Sequence, residues 1–272
     1  MLKKIFQIIV YIFAVIGFVL VGGFLAVKFG LTNTSGIVDN QRQNFLDNGN
    51  SATTPEWVSL PEWQTLREAV VKDKEIIDHA ATVAGVPARL ILAELVTEQM
   101  RFFFDDRESF KKFFEPLKIL GSQTQFSWGV MGIKEDTAIS VENNLKNPAS
   151  PFYLGPSYEH LLDFSSPKLD LGQIKQERFT RMTDQHAHYY SYLYAGLYLK
   201  QVETQWKSAG FDISGRPDIL STLYNIGFEN SKPNANPQSG GAEIPVAGKI
   251  YSFGSFSAQF YNSGELLAEF PK

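Results

Sequence analysis

The sequence predicts a mainly helical globular domain that follows a single N-terminal membrane-spanning helix. An uncharged, apolar stretch covers residues 5–27. Beyond residue 59, apolar side chains recur at helical spacing in several segments, and three of these segments open with a proline. This second part is long enough to bury one substantial core. We therefore divide the chain into an N-terminus (1–4), a membrane anchor (5–27), a flexible tether (28–58) and one folded domain (59–272).

The stretch 5–27 has the length and composition of a transmembrane helix. Its 23 residues hold no charge, and at about 1.5 Å per residue they cross a hydrocarbon core about 30 Å thick. Lys3 and Lys4 precede the stretch, and after Lys28 the next basic residue is Arg42. This asymmetry predicts a cytoplasmic N-terminus, with everything after the helix on the outer side of the membrane.

A cleaved secretory signal is the alternative for this stretch. Such a signal has a shorter apolar region and ends at a small-residue cleavage site, for which Val21–Gly23 is a poor match. We therefore expect the helix to remain as an anchor. Residues 28–58 are rich in Asn, Ser, Thr and Gly, and they are predicted to hold the folded domain away from the membrane surface.

Composition excludes several classes of site. The chain has no cysteine, so it has no disulfide, no cysteine nucleophile, no thiolate metal site and no lipoprotein anchor. His186 and His188 lie two residues apart and would face different directions on a helix, so a chelate with Asp184 is not expected. We predict neither a metal nor another cofactor. The net charge is −4, and three lysines without acids in the first thirty residues leave the rest near −7, which argues against a nucleic-acid partner.

The helix that begins near Pro87 carries the first candidate catalytic group. Proline suits the first helical position, and the residues that follow are strong helix formers. At helical spacing Glu98 shares the apolar face with Ile91, Leu95 and Phe102, so its carboxyl is expected to turn toward the core. A desolvated carboxyl holds its proton more tightly, as a general acid at neutral pH must.

Other segments of the domain have weaker patterns. Further helices are predicted from Pro61 to about Gly85, from Arg101 to Phe114 with a break at Asp105 and Asp106, from about Asp184 to Ser208, and from Pro217 into Asn225. Loops are expected at Gly121 to Phe126, in the turn-rich stretch from Val141 to Phe164, and from Gly227 through Pro245, with a short mixed segment after that.

Four blocks in a fixed order resemble the lytic transglycosylases and goose-type lysozymes. They are Ala93 to Glu98, the run Ser127-Trp-Gly-Val-Met-Gly-Ile with Thr137 and Ala138, the set Gly196, Tyr198 and Leu199, and Ile219 to Gly227 with its Tyr-Asn-Ile-Gly end. The resemblance covers about Ala81 to Gly227, more than half of the chain. It implies a lysozyme-like fold and a peptidoglycan substrate, and with the predicted anchor it places the domain in the periplasm at the bacterial inner membrane.

The resemblance also implies a reaction that needs one carboxyl. Glu98 would act first as acid and then as base, while the 6-hydroxyl of the sugar attacks, so that the MurNAc-GlcNAc β-1,4 bond is cleaved to a 1,6-anhydroMurNAc end. Tyr224 would touch and position this carboxylate. A second set of residues would form the glycan-binding groove or shape it: Ser127, Gly129, Met131, Gly132 and Asn225, of which Asn225 is expected to shape the turn.

Departures from the family pattern leave alternatives open. Gln99 stands where the family has Ser, and Gly132 stands where it has a substrate-binding Gln. These departures favour a catalytically weak, glycan-binding scaffold of a cell-envelope assembly, with a protein partner. Glu94, one turn before Glu98, is interpreted as a supporting or surface residue.

The Phe-rich insertion 101–126 opens another alternative, because it holds three further acidic residues: Asp105, Asp106 and Glu108. If one of them faced Glu98 at roughly 6.5–9.5 Å, the protein would be an inverting, lysozyme-like hydrolase of the same substrate. If Asp105 and Asp106 only end one helix and cap the next, they have no catalytic role.

Overall fold

The structure is a computed structural model that describes residues 55–104, 127–184 and 186–272, together with Lys4, Gln7, Tyr11, Gly17 and Val21. Contacts group the chain into two units, 1–35 and 36–272, and the elements below belong to the second. Of the predicted anchor, only Gln7, Tyr11, Gly17 and Val21 are described. Within the described part no single helix is long and apolar enough to cross a membrane. The helices Lys74–Ala84 and Ala88–Phe104 reach the required length and hydropathy only when they are counted together, and the chain bends by 119° between them.

The described part of the domain is mainly helical, which confirms the coarse prediction. Its eight α-helices are α1 (Pro61–Lys72), α2 (Lys74–Ala84), α3 (Ala88–Phe104), α4 (Glu135–Leu145), α5 (Leu171–Thr183), α6 (Tyr189–Ser208), α7 (Pro217–Ile226) and α8 (Phe253–Asn262). Two short antiparallel pairs accompany them, β1 (Ser127–Trp128) with β2 (Ile133–Lys134) and β3 (Glu243–Val246) with β4 (Lys249–Ser252).

Helix α3 is the centre of the core. Almost every side chain from Arg89 to Arg101 is buried, on all faces of the helix. A helix that is buried all round must be covered by neighbours on every side, and here α1, α2, α6, α8 and β3 pack against it. The position of any side chain on α3 is therefore fixed by several elements at once.

Arg89 connects the start of α3 to the end of the chain. Its five N–H groups donate to five backbone carbonyls: Tyr261, Glu265, Phe270, Phe260 and Ser263, at 2.8 to 3.1 Å. Two of these carbonyls lie in the last turn of α8, where helical carbonyls lack partners and carry partial negative charge. The guanidinium therefore caps α8 and orders the chain that follows it.

Several boundaries differ from the sequence prediction. The helix predicted from Pro61 to Gly85 is broken at Asp73 into α1 and α2. Trp57 is fully buried within a 3₁₀-helix, Glu56–Ser59, so the folded part begins inside the predicted tether. The loop predicted through Pro245 is wrong from Glu243 onward, where the β3–β4 hairpin begins.

Candidate active site

Glu98 lies on α3 with its carboxyl turned into the core, as the helical spacing predicts. Only 3% of the residue is exposed, and one carboxyl oxygen, Oε2, accepts a hydrogen bond from Arg101 Nη2 at 2.6 Å. The guanidinium of Arg101 also lies over the ring of Phe253 on α8, 5.9 Å from its centroid. Since an opposite charge favours the ionised form of a carboxyl, Arg101 stabilises Glu98 whenever it has given up its proton.

The turn between β1 and β2 brings a backbone against this carboxyl. Gly132 closes the turn with a φ of +63°, and its N–H donates to the Gly129 carbonyl at 3.3 Å. A Cβ atom at Gly132 would lie 2.8 Å from both Cδ and Oε2 of Glu98. Two features therefore favour glycine here: the left-handed backbone and the space that the carboxyl occupies, since a Cβ would make Glu98 shift.

Two side chains hold this turn beside Glu98 by bonding to its carbonyls. Gln99 Nε2 donates to the carbonyl of Val130 at 2.6 Å, and the Tyr224 hydroxyl donates to the carbonyl of Met131 at 2.7 Å. Gln99 thus has a structural use at the position where the family has Ser. Three separate parts of the chain, α3, the turn and α7, meet around one carboxyl.

Tyr224 differs from the prediction in what its hydroxyl touches. A phenol has one proton to donate, and here Met131 receives it, so the hydroxyl positions the turn and not the carboxylate. Burial is the main cause that raises the pKa of Tyr224, and the charge of Glu98 is the next. The tyrosine is therefore a neutral neighbour of Glu98 that acts through the turn.

Two of the predicted groove residues face the protein. Met131 is fully buried, so its side chain does not line an open groove, and that prediction is wrong for this structure. A Cβ at Gly129 would lie 1.9 Å from the backbone carbonyl of Met182. The close approach that Gly129 permits is therefore to the last turn of α5 and not to a sugar.

The remaining predicted contacts are structural or fall on residues that are not described. Asn225 Oδ1 accepts a hydrogen bond from the N–H of Ala242 at 2.8 Å, which ties α7 to the loop before β3. Ser127 pairs with Lys134 through the β1–β2 ladder, and its side chain is outside the described residues. So are three alternative carboxylates: Asp105, Asp106 and Glu108.

The histidine pair considered as a chelate has no metal-like arrangement. Asp184 Oδ1 accepts from the backbone N–H groups of His186 and Ala187, which lowers the pKa of this carboxyl, the His186 bond being the largest cause. Across the described residues, no group of three or more His, Asp or Glu could hold a metal ion.

Glu94 is a buried residue of this region, so its interpretation as a surface residue is wrong. The side chain is fully buried, its Oε1 forms a short hydrogen bond with the Ser221 hydroxyl, and Oε2 has no hydrogen-bond partner. Ser221 also contacts the Ser257 hydroxyl at 2.7 Å. Burial, the largest cause, raises the pKa of Glu94 well above its ordinary value.

Sequence reasoning missed three members of the site: Arg101, Ser221 and Ser257. Arg101 had a usable signal, because residues three apart on a helix are neighbours and opposite charges at that spacing attract. The two serines had none, since their contacts join α3, α7 and α8 across long sequence separations.

Comparisons with protein-family models, with curated proteins and with solved structures gave no significant match.

Proposed function

We propose that this protein is a membrane-anchored lytic transglycosylase with a lysozyme-like fold, acting on peptidoglycan glycan strands. One observation carries the proposal: the blocks that resemble the family converge on Glu98. The turn of the second block lies against its carboxyl through Gly132, and Tyr224 of the last block holds that turn through Met131.

The chemistry assigned to Glu98 balances without water. Glu98, ionised beside Arg101 in the resting protein, first takes up a proton from solvent. Its O–H bond then breaks as the proton passes to the glycosidic oxygen and the C1–O4 bond opens, leaving an oxocarbenium-like sugar. The carboxylate then accepts the proton of the sugar's 6-hydroxyl while O6 bonds to C1, which restores the acid. Arg101 stabilises the carboxylate between these two steps.

A second candidate is a glycan-binding scaffold of a cell-envelope assembly. The ion pair between Glu98 and Arg101 and the small exposed fraction of Glu98 favour it, because a permanently paired, covered carboxylate cannot protonate a substrate. In this alternative the turn and Tyr224 maintain a binding surface, and neither performs chemistry.

The location follows from the predicted anchor. We place the N-terminus in the cytoplasm and the folded domain in the periplasm, at the bacterial inner membrane, because of the lysines before residue 5 and the apolar stretch after them. The glycan strands there are within reach of a tethered domain.

Digestion of purified peptidoglycan sacculi with the full chain tests the proposal. Wild type, Glu98→Gln and Glu68→Gln are compared; Glu68 is an exposed residue on α1 and serves as the matched control. Wild type and Glu68→Gln should release muropeptides and Glu98→Gln should release none. Equal release by all three proteins would contradict the role of Glu98, while sacculus binding without release by any of them would favour the scaffold.

A further inference from the structure

Glu94 and Glu98 are two buried carboxyls one helical turn apart on α3, and they have different partners. Glu98 pairs with Arg101. Among the described residues no lysine or arginine pairs with Glu94, whose one polar contact is the Ser221 hydroxyl. Of the described cations only Arg101 would face two negative charges here, in a buried region where unpaired charge is costly.

The surroundings of Glu94 indicate which carboxyl holds a proton. Ser221 Oγ contacts both Glu94 Oε1 and Ser257 Oγ, and the two hydroxyl protons can serve these contacts in either ionisation state of Glu94. What separates the two states is the rest of the carboxyl: it is fully buried, and its Oε2 has no hydrogen-bond partner. An ionised Glu94 would hold a full charge in the core with one hydroxyl donor and no cation.

The groups that interact with Glu94, directly or through Ser221, lie on α3, α6, α7 and α8. Glu98 is the neighbour on α3, and Tyr198 on α6 and Tyr224 on α7 are near enough for the charge of Glu94 to contribute to their raised pKa values, of which burial is the main cause. Ser221 of α7 and Ser257 of α8 complete the surroundings. None of these five groups is positive. Burial, the largest cause, and the charge of Glu98 both disfavour an ionised Glu94, and only the Ser221 hydrogen bond favours it.

We infer that Glu94 is a positioning residue for Glu98: it is the uncharged member of the pair, anchored through Ser221 to Ser257, and it leaves the guanidinium of Arg101 to Glu98 alone. The hydrogen bonds from Glu94 through Ser221 to Ser257 join α3, α7 and α8 one turn away from Glu98. They therefore also fix the spacing of the helices that carry Glu98, Tyr224 and Phe253. The catalytic consequence rests on the proposed function, whereas the division of charge between the two carboxyls does not.

Infrared spectroscopy of the full chain at neutral pH tests the division of charge. A protonated carboxyl has a C=O stretching band apart from the amide and carboxylate bands. The band should be present in wild type and in Glu98→Gln, and absent in Glu94→Gln. Absence of the band from wild type would overturn the inference, and so would a band that Glu98→Gln removes and Glu94→Gln keeps.

Kinetics on sacculi test the positioning role. Glu94→Asp withdraws the carboxyl from Ser221 by one methylene, whereas Glu94→Gln keeps both the length and the neutral charge. We expect kcat to fall about tenfold or more in Glu94→Asp, because small displacements of a reacting group are costly, with KM nearly constant and a much smaller loss in Glu94→Gln. Equal losses in both variants would contradict the role. No cleavage by wild type, together with the expected infrared bands, would contradict the proposed function and leave the division of charge intact.

Discussion

Gly132 and Glu98 are in direct contact although 34 positions separate them in the chain. A Cβ at Gly132 would lie 2.8 Å from the Cδ atom of Glu98, closer than two carbon atoms pack. The glycine that departs from the family pattern is thus the residue that lets the turn lie against the carboxyl. Its substitution tests the geometry of the site.

Gly132→Ala should damage both stability and cleavage. Its left-handed backbone costs an alanine about 1 kcal/mol, and the methyl group must also displace Glu98. Gly248→Ala is the matched control, since Gly248 has a φ of +75° and a methyl group there would meet nothing within 4 Å. We expect urea unfolding to show a larger loss for Gly132→Ala, and only that variant to lose cleavage. Equal stability losses and equal cleavage would contradict the contact.

Arg101→Gln should destabilise the fold by about 3–5 kcal/mol, because it breaks the buried ion pair between Arg101 and Glu98. The double variant Glu98→Gln with Arg101→Gln should recover part of this loss. A double-mutant cycle by urea unfolding measures the coupling. Additivity within about 0.5 kcal/mol would mean that the two side chains do not interact in solution.

The raised pKa of Glu94 predicts that the free energy of unfolding falls as pH rises. Its pKa is raised in the folded state, so the folded chain keeps a proton that the unfolded chain releases. The stabilisation is fully present below the unfolded pKa of about 4.5 and is lost as pH rises through the folded pKa.

The unfolding free energy, measured by urea titration across this pH range, should change by up to about 1.4 kcal/mol per pH unit from this one group. Glu94→Gln should remove that part of the slope, and the exposed Glu68→Gln should not. Identical slopes for wild type and Glu94→Gln would show that Glu94 is ionised in the folded protein.

Tyr224→Phe should weaken the site without abolishing it. The lost hydrogen bond to the Met131 carbonyl costs about 1 kcal/mol, and the turn loosens, but the hydroxyl makes no bond to Glu98. Cleavage should therefore fall less than tenfold, far less than in Glu98→Gln, since a general acid contributes about 10²–10⁴-fold. A loss of cleavage as complete as that of Glu98→Gln would mean that the Tyr224 hydroxyl acts directly on the reacting carboxyl.

Arg89→Lys should destabilise the end of the chain. A lysine has three donors against the five of arginine, so at least two of the five carbonyls lose their bond. Each unsatisfied buried carbonyl costs about 1–3 kcal/mol. Hydrogen exchange should accelerate in α8 and the residues after it; unchanged exchange there would contradict the capping role.

Local signals predicted the helices and the orientation of Glu98. Pro61 and Pro217 begin α1 and α7 as their backbone constraint requires. The apolar residues at helical spacing from Glu98 predicted that its carboxyl turns toward the core, and α3 proves to be buried on all faces. These features depend on residues within a few turns of each other, which the sequence displays directly.

The hairpin and the last helix could not be predicted in the same way. Pro245 lies inside β3, where a proline argues against a strand, and Gly254 lies in the first turn of α8, where glycine disfavours a helix. Packing decides both: a Cβ at Gly254 would overlap Thr222 Oγ1 at 2.2 Å, so glycine permits the close crossing of α7 and α8. Such reasons appear only when distant segments are brought together.

The contacts of the candidate site are likewise of two kinds, local contacts that the sequence predicts and tertiary contacts that it does not. Glu98 and Arg101 are three residues apart, and their pairing follows from helical spacing. The burial of Met131, the bond from Tyr224 to its carbonyl and the anchor of Glu94 on Ser221 are tertiary contacts. For these, the sequence blocks predicted that the segments belong together and could not predict which atoms meet.

The new glycan ends formed on purified sacculi test the central claim most directly. Mass spectrometry of the released muropeptides, before and after borohydride reduction, distinguishes the two chemistries. The proposal predicts products that lack one water and resist reduction, made by wild type and not by Glu98→Gln. Hydrated, reducible ends made by wild type would contradict it and assign the protein to the hydrolases.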